Sequence, residues 1–205
     1  MDDDAAKRLV REGYNRISRE YRGDAIAPET NYPAWITLLS DGLSSGEPVL
    51  DLGCGNGVPV SQALSERYAV TGMDISDVQI QRARRLVPQA TFLRADMTEV
   101  EFPRASFTAV VSLFALIHVP IAQQRHMIEQ IGNWLRPGGR LLATVGHTAW
   151  TGIDQNWHGG RMYWSQAGAA TYARWLDQAG FDIRKQSFIP EGETGHELFL
   201  AIRAQ

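Results

Sequence analysis

A glycine-rich segment is the part of the sequence best suited to hold a ligand. It reads Asp51-Leu52-Gly53-Cys54-Gly55-Asn56-Gly57 and directly follows the apolar pair Val49-Leu50. Glycine removes the side chain that would block a close approach of the backbone to a ligand. The start of a following helix offers unpaired N–H groups. The segment therefore predicts a tight turn at the end of a buried strand, placed to hold an organic cofactor.

An acidic residue further along the chain supports a nucleoside as the ligand. Asp74 ends the second predicted strand, 23 residues after Asp51. A carboxylate at this position can accept hydrogen bonds from both hydroxyls of a ribose. A glycine turn alone would also fit a segment that only packs a helix on a sheet, but its position between a strand and a helix favours a ligand. A dinucleotide site prefers glycine or alanine at the sixth position of its motif, where this chain has Val58.

Histidine is the side chain best suited to move a proton near neutral pH. The five histidines are His118, His126, His147, His158 and His196, and their spacing does not match a metal-ligand cluster. His118 follows the fourth predicted strand and His147 follows the fifth, so both are predicted at the ligand-binding edge. The hypothesis is that His118 lies by the transferred group and that either His118 or His147 acts as a general base. A purely structural hydrogen bond is the alternative for each.

Aromatic residues are concentrated in the long predicted connection over residues 146–165. They are Trp150, Trp157, His158, Tyr163 and Trp164. Aromatic side chains often line pockets for planar or apolar ligands, which makes them candidates for the wall of a second-substrate pocket. The alternative is that they fasten a long loop to the core.

Apolar spacing predicts alternating strands and helices. Helices are predicted over residues 5–21, 33–43, 76–87, 121–135 and 167–179, with a short one from Val60, and residues 23–31 are predicted as a loop. Strands are predicted at residues 49–50, 69–74, 91–95, 107–113, 140–145, 181–188 and 196–203, with a turn at residues 136–139. This alternation predicts an α/β three-layer sandwich with a mostly parallel sheet. The short loop at Pro190 and Gly192 predicts that the last two strands form an antiparallel hairpin.

Composition predicts one soluble domain. The chain has 205 residues, 44% of them apolar and 21% charged, with a net charge of -3. That balance gives no electrostatic signature of binding to nucleic acid or an anionic membrane. A single cysteine, Cys54, excludes an intramolecular disulfide, and neither a signal peptide nor a membrane span is recognisable, so a cytoplasmic protein is expected.

Three passages resemble the class I S-adenosylmethionine-dependent methyltransferases. They are Val49-Leu50-Asp51-Leu52-Gly53-Cys54-Gly55-Asn56-Gly57, Val70-Thr71-Gly72-Met73-Asp74-Ile75-Ser76 and Leu135-Arg136-Pro137-Gly138-Gly139-Arg140-Leu141-Leu142. The match runs from about residue 49 to residue 145. It implies a Rossmann-like, seven-stranded sheet in the order 3-2-1-4-5-7-6. It also implies that residues 46–205 form a cofactor-binding core and that residues 1–45 form a helical lid on it.

The resemblance also implies roles for individual residues. Gly53, Gly55 and Gly57 would lie along the methionine part of S-adenosylmethionine, and Asp51 would order the turn or reach the amino group through water. Asp74 would bind the ribose, and Ile75 would pack on the adenine. Asp96 would accept a hydrogen bond from the adenine amino group, with Met97 packed nearby. Leu113 and Phe114 would flank the methyl group, and Tyr14 and Tyr21 resemble lid tyrosines of small-molecule members. Cys54, Gln79 and His118 complete the predicted cofactor site. Plain structural roles remain alternatives for Asp96, Leu113, Phe114, Tyr14 and Tyr21.

The predicted function is methyl transfer from S-adenosyl-L-methionine to an O, N or C atom of a small metabolite, with S-adenosyl-L-homocysteine as product. Trp150, Trp157, Tyr163 and Trp164 would bind this acceptor, and no metal is expected. The sequence has no Asn/Asp-Pro-Pro-aromatic run, which disfavours methylation of the amino group of a base or of glutamine. Its only cysteine lies in the glycine turn, which disfavours methylation of cytosine through a covalent cysteine intermediate. An RNA- or protein-modifying enzyme, a non-catalytic cofactor-binding module and a dehydrogenase are the alternatives. A monomer or homodimer is expected.

Overall fold

The structure is a computed structural model that describes residues 1–25, 31–192 and 194–205. The strands are β1 Pro48–Leu52, β2 Ala69–Asp74, β3 Thr91–Arg94, β4 Phe107–Ser112, β5 Leu135–Gly146, β6 Trp150–Trp157, β7 Gly160–Gln166, β8 Phe181–Glu191 and β9 Thr194–Arg203. The helices are α1 Asp3–Tyr21, α2 Tyr32–Ser40, α3 Val60–Leu64, α4 Asp77–Leu86, α5 Ile121–Trp134 and α6 Ala169–Gln178. The predicted loop over residues 23–31 falls partly on residues 26–30, which lie outside the described residues.

Seven of these strands form one sheet, in the order β3-β2-β1-β4-β5-β9-β8. The first five in this order pair in parallel, and β9 is antiparallel to both β5 and β8. Counted within the sheet alone, this is the order 3-2-1-4-5-7-6, so the predicted α/β fold with an antiparallel C-terminal hairpin is confirmed. The carboxyl ends of the parallel strands meet at one edge of the sheet, where open sheets of this kind bind ligands.

Apolar side chains fix helices to both faces of the sheet. All six residues of β4 are buried, as expected of a central strand. Trp134 of α5 and Tyr172 of α6 pack on one face, and Leu39 of α2 and Leu64 of α3 pack on the other. Each such side chain contributes roughly 1.5–3 kcal/mol on burial. The two apolar layers therefore hold the sheet edge, and the residues that follow its strands, in fixed positions.

The connection after β5 differs from the prediction of a long loop. It contains β6 and β7, which form a separate two-stranded antiparallel sheet. Two residues join them, and both have positive φ, 48° at His158 and 80° at Gly159. A hairpin turn of this kind usually contains Asn-Gly or Asp-Gly, so the His-Gly pair gave a weak signal in the sequence.

The predicted turn at residues 136–139 lies within the bounds of β5. Phe107 of β4 pairs with Leu135, and Ala109 pairs with Arg140, so residues 136–139 are looped out as an irregularity of the ladder. Gly138 there has a φ of 75°. The strand therefore begins earlier than predicted and is interrupted where the glycine pair allows the chain to bend.

Helix α1 packs between β7 and α4. Its close approach to β7 depends on glycine on both sides of the contact. A Cβ on Gly13 would lie 2.7 Å from the carbonyl oxygen of Arg161, and a Cβ on Gly160 would lie 2.7 Å from Cγ2 of Ile17. On the α4 side, Arg82 donates hydrogen bonds to Oγ and to the carbonyl oxygen of Ser18. No helix within the described ranges is both long and apolar enough to span a membrane.

Candidate active site

The glycine turn has the tight geometry that its composition predicts. Gly53, Gly55 and Gly57 have φ values of 83°, 55° and 80°, in the left-handed region that favours glycine. A Cβ added to Gly53 would lie 2.2 Å from the Cβ of Ala115, which follows β4. The turn therefore needs glycine both for its backbone conformation and for its contact with the neighbouring loop.

A cavity opens at the edge of the sheet beside this turn. It spans about 830 Å³ of space, a figure that includes the open solvent at its mouth. The predicted cofactor residues that line it are Tyr14, Tyr21, Gly53, Cys54, Gly55, Asp74, Ile75, Gln79, Asp96, Met97, Leu113, Phe114 and His118. They come from α1, the glycine turn, the end of β2 with α4, and the segments after β3 and β4. The structure thus brings most of the predicted cofactor residues to one place.

Two predicted cofactor residues, Asp51 and Gly57, lie outside the cavity lining. The carboxylate of Asp51 accepts a hydrogen bond of 2.6 Å from Oγ of Ser61, behind the turn. Burial raises its pKa to about 7. A Cβ on Gly57 would meet Val87 at 3.1 Å and Phe92 at 3.3 Å. Asp51 and Gly57 therefore stabilise the turn from its inner side.

Asp74 lies in the cavity with both carboxylate oxygens hydrogen-bonded to the backbone. One oxygen accepts from the N–H of Gly55 at 3.0 Å and the other accepts from the N–H of Ser76 at 2.8 Å. Burial raises the pKa of Asp74 to about 6, and these N–H groups partly oppose the rise. The carboxylate is held rigidly, and its remaining lone pairs can accept hydrogen bonds from hydroxyl groups.

Asp96 forms an ion pair that the sequence did not indicate. The Nζ atom of Lys7 on α1 lies 2.9 Å from Oδ2 of Asp96 and 3.1 Å from both Oγ1 of Thr98 and Oε1 of Glu99. Burial opposes the charge on Lys7, but its hydrogen bonds to Asp96 and Glu99 leave its pKa raised. Lys7 and Asp96 both line the cavity, so this pair joins α1 to the segment after β3 at the ligand site.

His118 lies in the cavity between two hydrogen-bond partners. Its Nδ1 is 2.7 Å from the carbonyl oxygen of Tyr163, and its Nε2 is 2.8 Å from the hydroxyl of Tyr14. A carbonyl oxygen can only accept, so Nδ1 carries the proton and Nε2 accepts from the Tyr14 hydroxyl. Burial lowers the pKa of His118 to about 4. The imidazole is therefore neutral, with its lone pair on the cavity side held by Tyr14.

Arg22 is a second cavity residue that the sequence did not indicate. It donates to the carbonyl oxygen of Val58 at 3.2 Å and to the hydroxyl of Tyr32 at 2.8 Å. Its guanidinium carbon lies 5.3 Å from the ring centroid of Tyr21 and 5.1 Å from that of Tyr32. These contacts hold a positive charge beside the glycine turn, where an anionic part of a ligand can pair with it.

The structure separates His147 from His118. Nδ1 of His147 pairs with Oε1 of Glu197 at 2.8 Å, and the imidazole packs on the ring of Phe188 with a centroid separation of 4.6 Å. His147 does not line the cavity. Of the two predicted bases, the geometry brings only His118 to the ligand site.

The aromatic residues of the β6–β7 hairpin also lie outside the cavity lining. Trp157 packs on Tyr21 with ring centroids 4.9 Å apart, and Trp164 packs on His118 with centroids 4.4 Å apart. Tyr163 is buried and supplies the carbonyl oxygen that holds His118, whereas Trp150 is 48% exposed. Trp157 and Trp164 thus lie behind Tyr21 and His118, and their predicted contact with an acceptor stays a prediction.

The chain is similar in sequence to known methyltransferases. Residues 49–139 match a family model described as a methyltransferase domain. The chain is 32% identical over 158 residues to an uncharacterized methyltransferase of Mycobacterium bovis, with 76% of each chain covered. It is 41% identical over 106 residues to 27-O-demethylrifamycin SV methyltransferase of Amycolatopsis mediterranei, with 48% of this chain and 38% of that protein covered. The chain therefore spans well under half the length of the rifamycin relative.

A solved structure shares the fold. Magnesium protoporphyrin IX methyltransferase of Synechocystis, crystallised with S-adenosylhomocysteine, superposes with a TM-score of 0.73 over 97% of this chain and 100% of that one, at 20% identity. Three findings point to one family. They are the sheet order, the glycine turn followed by Asp74, and the similarity to the mycobacterial protein over 76% of the chain. The chain belongs to the class I S-adenosylmethionine-dependent methyltransferases.

Proposed function

We propose that the protein binds S-adenosylmethionine in the cavity and transfers its methyl group to a small-molecule acceptor. The observation that carries the proposal is the arrangement of one cavity. It brings together the carboxylates of Asp74 and Asp96, apolar lining residues and the accepting nitrogen of His118. A nucleoside needs the carboxylates, and a transfer that removes a proton needs the accepting nitrogen.

The residues of the cavity fit this cofactor chemically. Asp74 would accept from the ribose hydroxyls, and Asp96 would accept from the adenine amino group. Ile75 and Met97 offer apolar surface for the base. Gly53 and Gly55 leave room for the methionine part, whose carboxylate would pair with Arg22. The ribose hydroxyls, the adenine amino group and the methionine carboxylate would each then have a partner of matching hydrogen-bonding type or charge.

Bound S-adenosylmethionine would supply an electrophilic methyl group on a sulfonium, and transfer would proceed by in-line displacement. The chain's own task is then alignment, exclusion of water and removal of a proton. Leu113 and Phe114 also line the cavity and give it apolar surface. Phe114 has a φ of 57°, a strained conformation that turns this segment at the cavity. His118 Nε2 would take the acceptor proton.

Residues 1–45 would act as a lid over this site. Helix α1 contributes Lys7, Tyr14 and Tyr21 to the cavity wall. It is also held to α4 by a 2.8 Å hydrogen bond from Ser18 to Gln79, whose side chain lies in the cavity as well. A ligand as large as the cofactor would then enter when α1 moves away, and the closed helix would exclude water during transfer.

A small-molecule acceptor is favoured over a nucleic acid or a protein. The net charge of -3 offers no general attraction for a phosphate backbone. The similar rifamycin and porphyrin enzymes are named for small-molecule substrates. We assign Trp157 and Trp164 the task of holding the lid and the base, because they pack on Tyr21 and His118 outside the cavity.

Methyl-labelled S-adenosylmethionine tests the proposed function. The protein is incubated separately with a small-molecule extract, total RNA and a protein extract, and each pool is analysed for label. We expect label in the small-molecule pool, and much less there with Asp74→Asn at the same cofactor concentration. Label only in RNA or protein would favour the modifying enzymes, and cofactor binding without transfer to any pool would favour a non-catalytic binding module.

A further inference from the structure

The hydrogen-bond partner of His118 Nε2 indicates the chemistry of the acceptor. The partner on Nε2 is a phenol of the chain itself, the Tyr14 hydroxyl at 2.8 Å. Burial raises the pKa of Tyr14 well above its usual value, so the hydroxyl keeps its proton and donates it. The two rings meet edge to face, with centroids 5.3 Å apart. A neutral aromatic hydroxyl therefore already fits this position.

The tautomer of His118 limits what can replace that hydroxyl. The Tyr163 carbonyl holds the proton on Nδ1, so Nε2 presents only a lone pair to the cavity. A carboxylate carries no proton to donate and would place its own lone pairs against that of Nε2. The cavity lining also includes Leu113, Phe114 and Val119, whose apolar side chains would not compensate a buried negative charge.

Each cation of the cavity already has partners in the chain. Lys7 is bound to Asp96, and Arg22 is held by Val58 and Tyr32, although its charge also acts on Tyr14. Burial also makes His118 a weak base, with its pKa lowered to about 4. A weak base favours an acidic hydroxyl, such as one on an aromatic or vinylic carbon, over an alkyl alcohol.

We infer that the acceptor is a flat, uncharged, apolar molecule with a phenolic or enolic hydroxyl, which takes the place of the Tyr14 hydroxyl on His118 Nε2. This inference rests on the proposed function. In the transfer, the hydroxyl oxygen bonds to the methyl carbon as the bond from that carbon to the sulfonium sulfur breaks, and the electron pair of the broken bond stays on sulfur. The hydroxyl proton passes to Nε2 and later to solvent.

Three probes with one flat body test the inference: 2-naphthol, 2-methoxynaphthalene and 2-naphthoate. Each is titrated by calorimetry into the protein saturated with S-adenosylhomocysteine. We expect 2-naphthol to bind about tenfold more tightly than the methyl ether, which cannot donate to Nε2, and than the carboxylate. Equal binding of the three, tightest binding of 2-naphthoate, or no binding of 2-naphthol overturns the inference.

The Tyr14→Phe variant gives a second, independent readout. It frees Nε2 while keeping the aromatic ring, so it should strengthen 2-naphthol binding by about fivefold and leave 2-methoxynaphthalene unchanged. Tyr68→Phe, which removes a buried hydroxyl outside the cavity lining, should leave the ratio of the two affinities unchanged. Equal effects of Tyr14→Phe on both probes would contradict the competition for Nε2.

Nitrogen chemical shifts of labelled histidine report the contact directly. The His118 Nε2 resonance should shift when 2-naphthol is added and stay in place with the methyl ether. An unchanged Nε2 resonance with 2-naphthol bound would overturn the inference. A folded protein that fails to bind S-adenosylhomocysteine would refute the proposed function itself, and binding of that nucleoside without a preference for 2-naphthol would refute only the inference about the acceptor.

Discussion

Lys7→Met is expected to loosen α1 from the ligand cavity. Lys7 is 9% exposed, and the side chain of its partner Asp96 is 15% exposed, so the ion pair is largely removed from water. Removing one member of such a pair leaves the other charge buried and costs roughly 3 kcal/mol. The contact with Glu99, whose side chain is 70% exposed, adds less than about 1 kcal/mol. The docked state of α1 should therefore weaken by about a hundredfold.

Calorimetric titration with S-adenosylhomocysteine measures this effect, because apparent affinity falls with the fraction of molecules in the binding-competent state. We expect the Kd of Lys7→Met to rise about ten- to hundredfold, with faster amide hydrogen exchange along α1. Arg16→Met is the matched control, since Arg16 is exposed on the same helix. A Kd for Lys7→Met within about twofold of the wild-type value, with α1 exchange unchanged, would refute the role of this ion pair.

Three further variants test the turn and the lid. Burial raises the pKa of Asp51 to about 7, so the protonated carboxyl contributes stability that is fully present below the unfolded pKa and is lost as pH rises through about 7. The melting temperature of Asp51→Asn, relative to that of the wild type, should therefore rise between about pH 5 and about pH 8. A difference in melting temperature that does not change with pH would contradict this role. Gly53→Ala should cost roughly 3–5 kcal/mol in urea unfolding through strain and overlap, whereas Gly23→Ala, with no atom within 4 Å of the added Cβ, should cost little. Trp157→Ala should weaken S-adenosylhomocysteine binding more than Trp150→Ala; a larger effect of Trp150→Ala would disprove the packing role.

The sequence predicted the parts of the molecule that depend on local patterns. Helix and strand periodicity located the elements of the main sheet, and the glycine turn with Asp74 predicted the ligand edge. Asp74 and the turn come from adjacent βα units, whose relative position is fixed by the parallel sheet. The helix predicted from residue 76 does begin there, and the side chain of Ser76 caps it by accepting from the N–H of Gln79.

Contacts between distant segments were not predictable in this way. Lys7 lies in an ordinary charged helix, and only the packing of α1 brings it to Asp96. His118 and His147 both follow strands of the sheet, but their partners, the Tyr163 carbonyl and Glu197, come from elements whose placement the sequence did not give. The β6–β7 hairpin was predicted as a loop because its His158-Gly159 turn departs from the usual hairpin pairs.

Calorimetric titration of S-adenosylhomocysteine and of NAD into the wild-type protein, Asp74→Asn and Asp77→Asn tests the central claim most directly. Asp77 is the matched control, because it lies near Asp74 but its side chain is 52% exposed. We predict that S-adenosylhomocysteine binds the wild type and Asp77→Asn alike, binds Asp74→Asn about tenfold or more weakly, and is not displaced by NAD. Failure of the folded wild-type protein to bind S-adenosylhomocysteine, or equal binding by Asp74→Asn, would contradict the account.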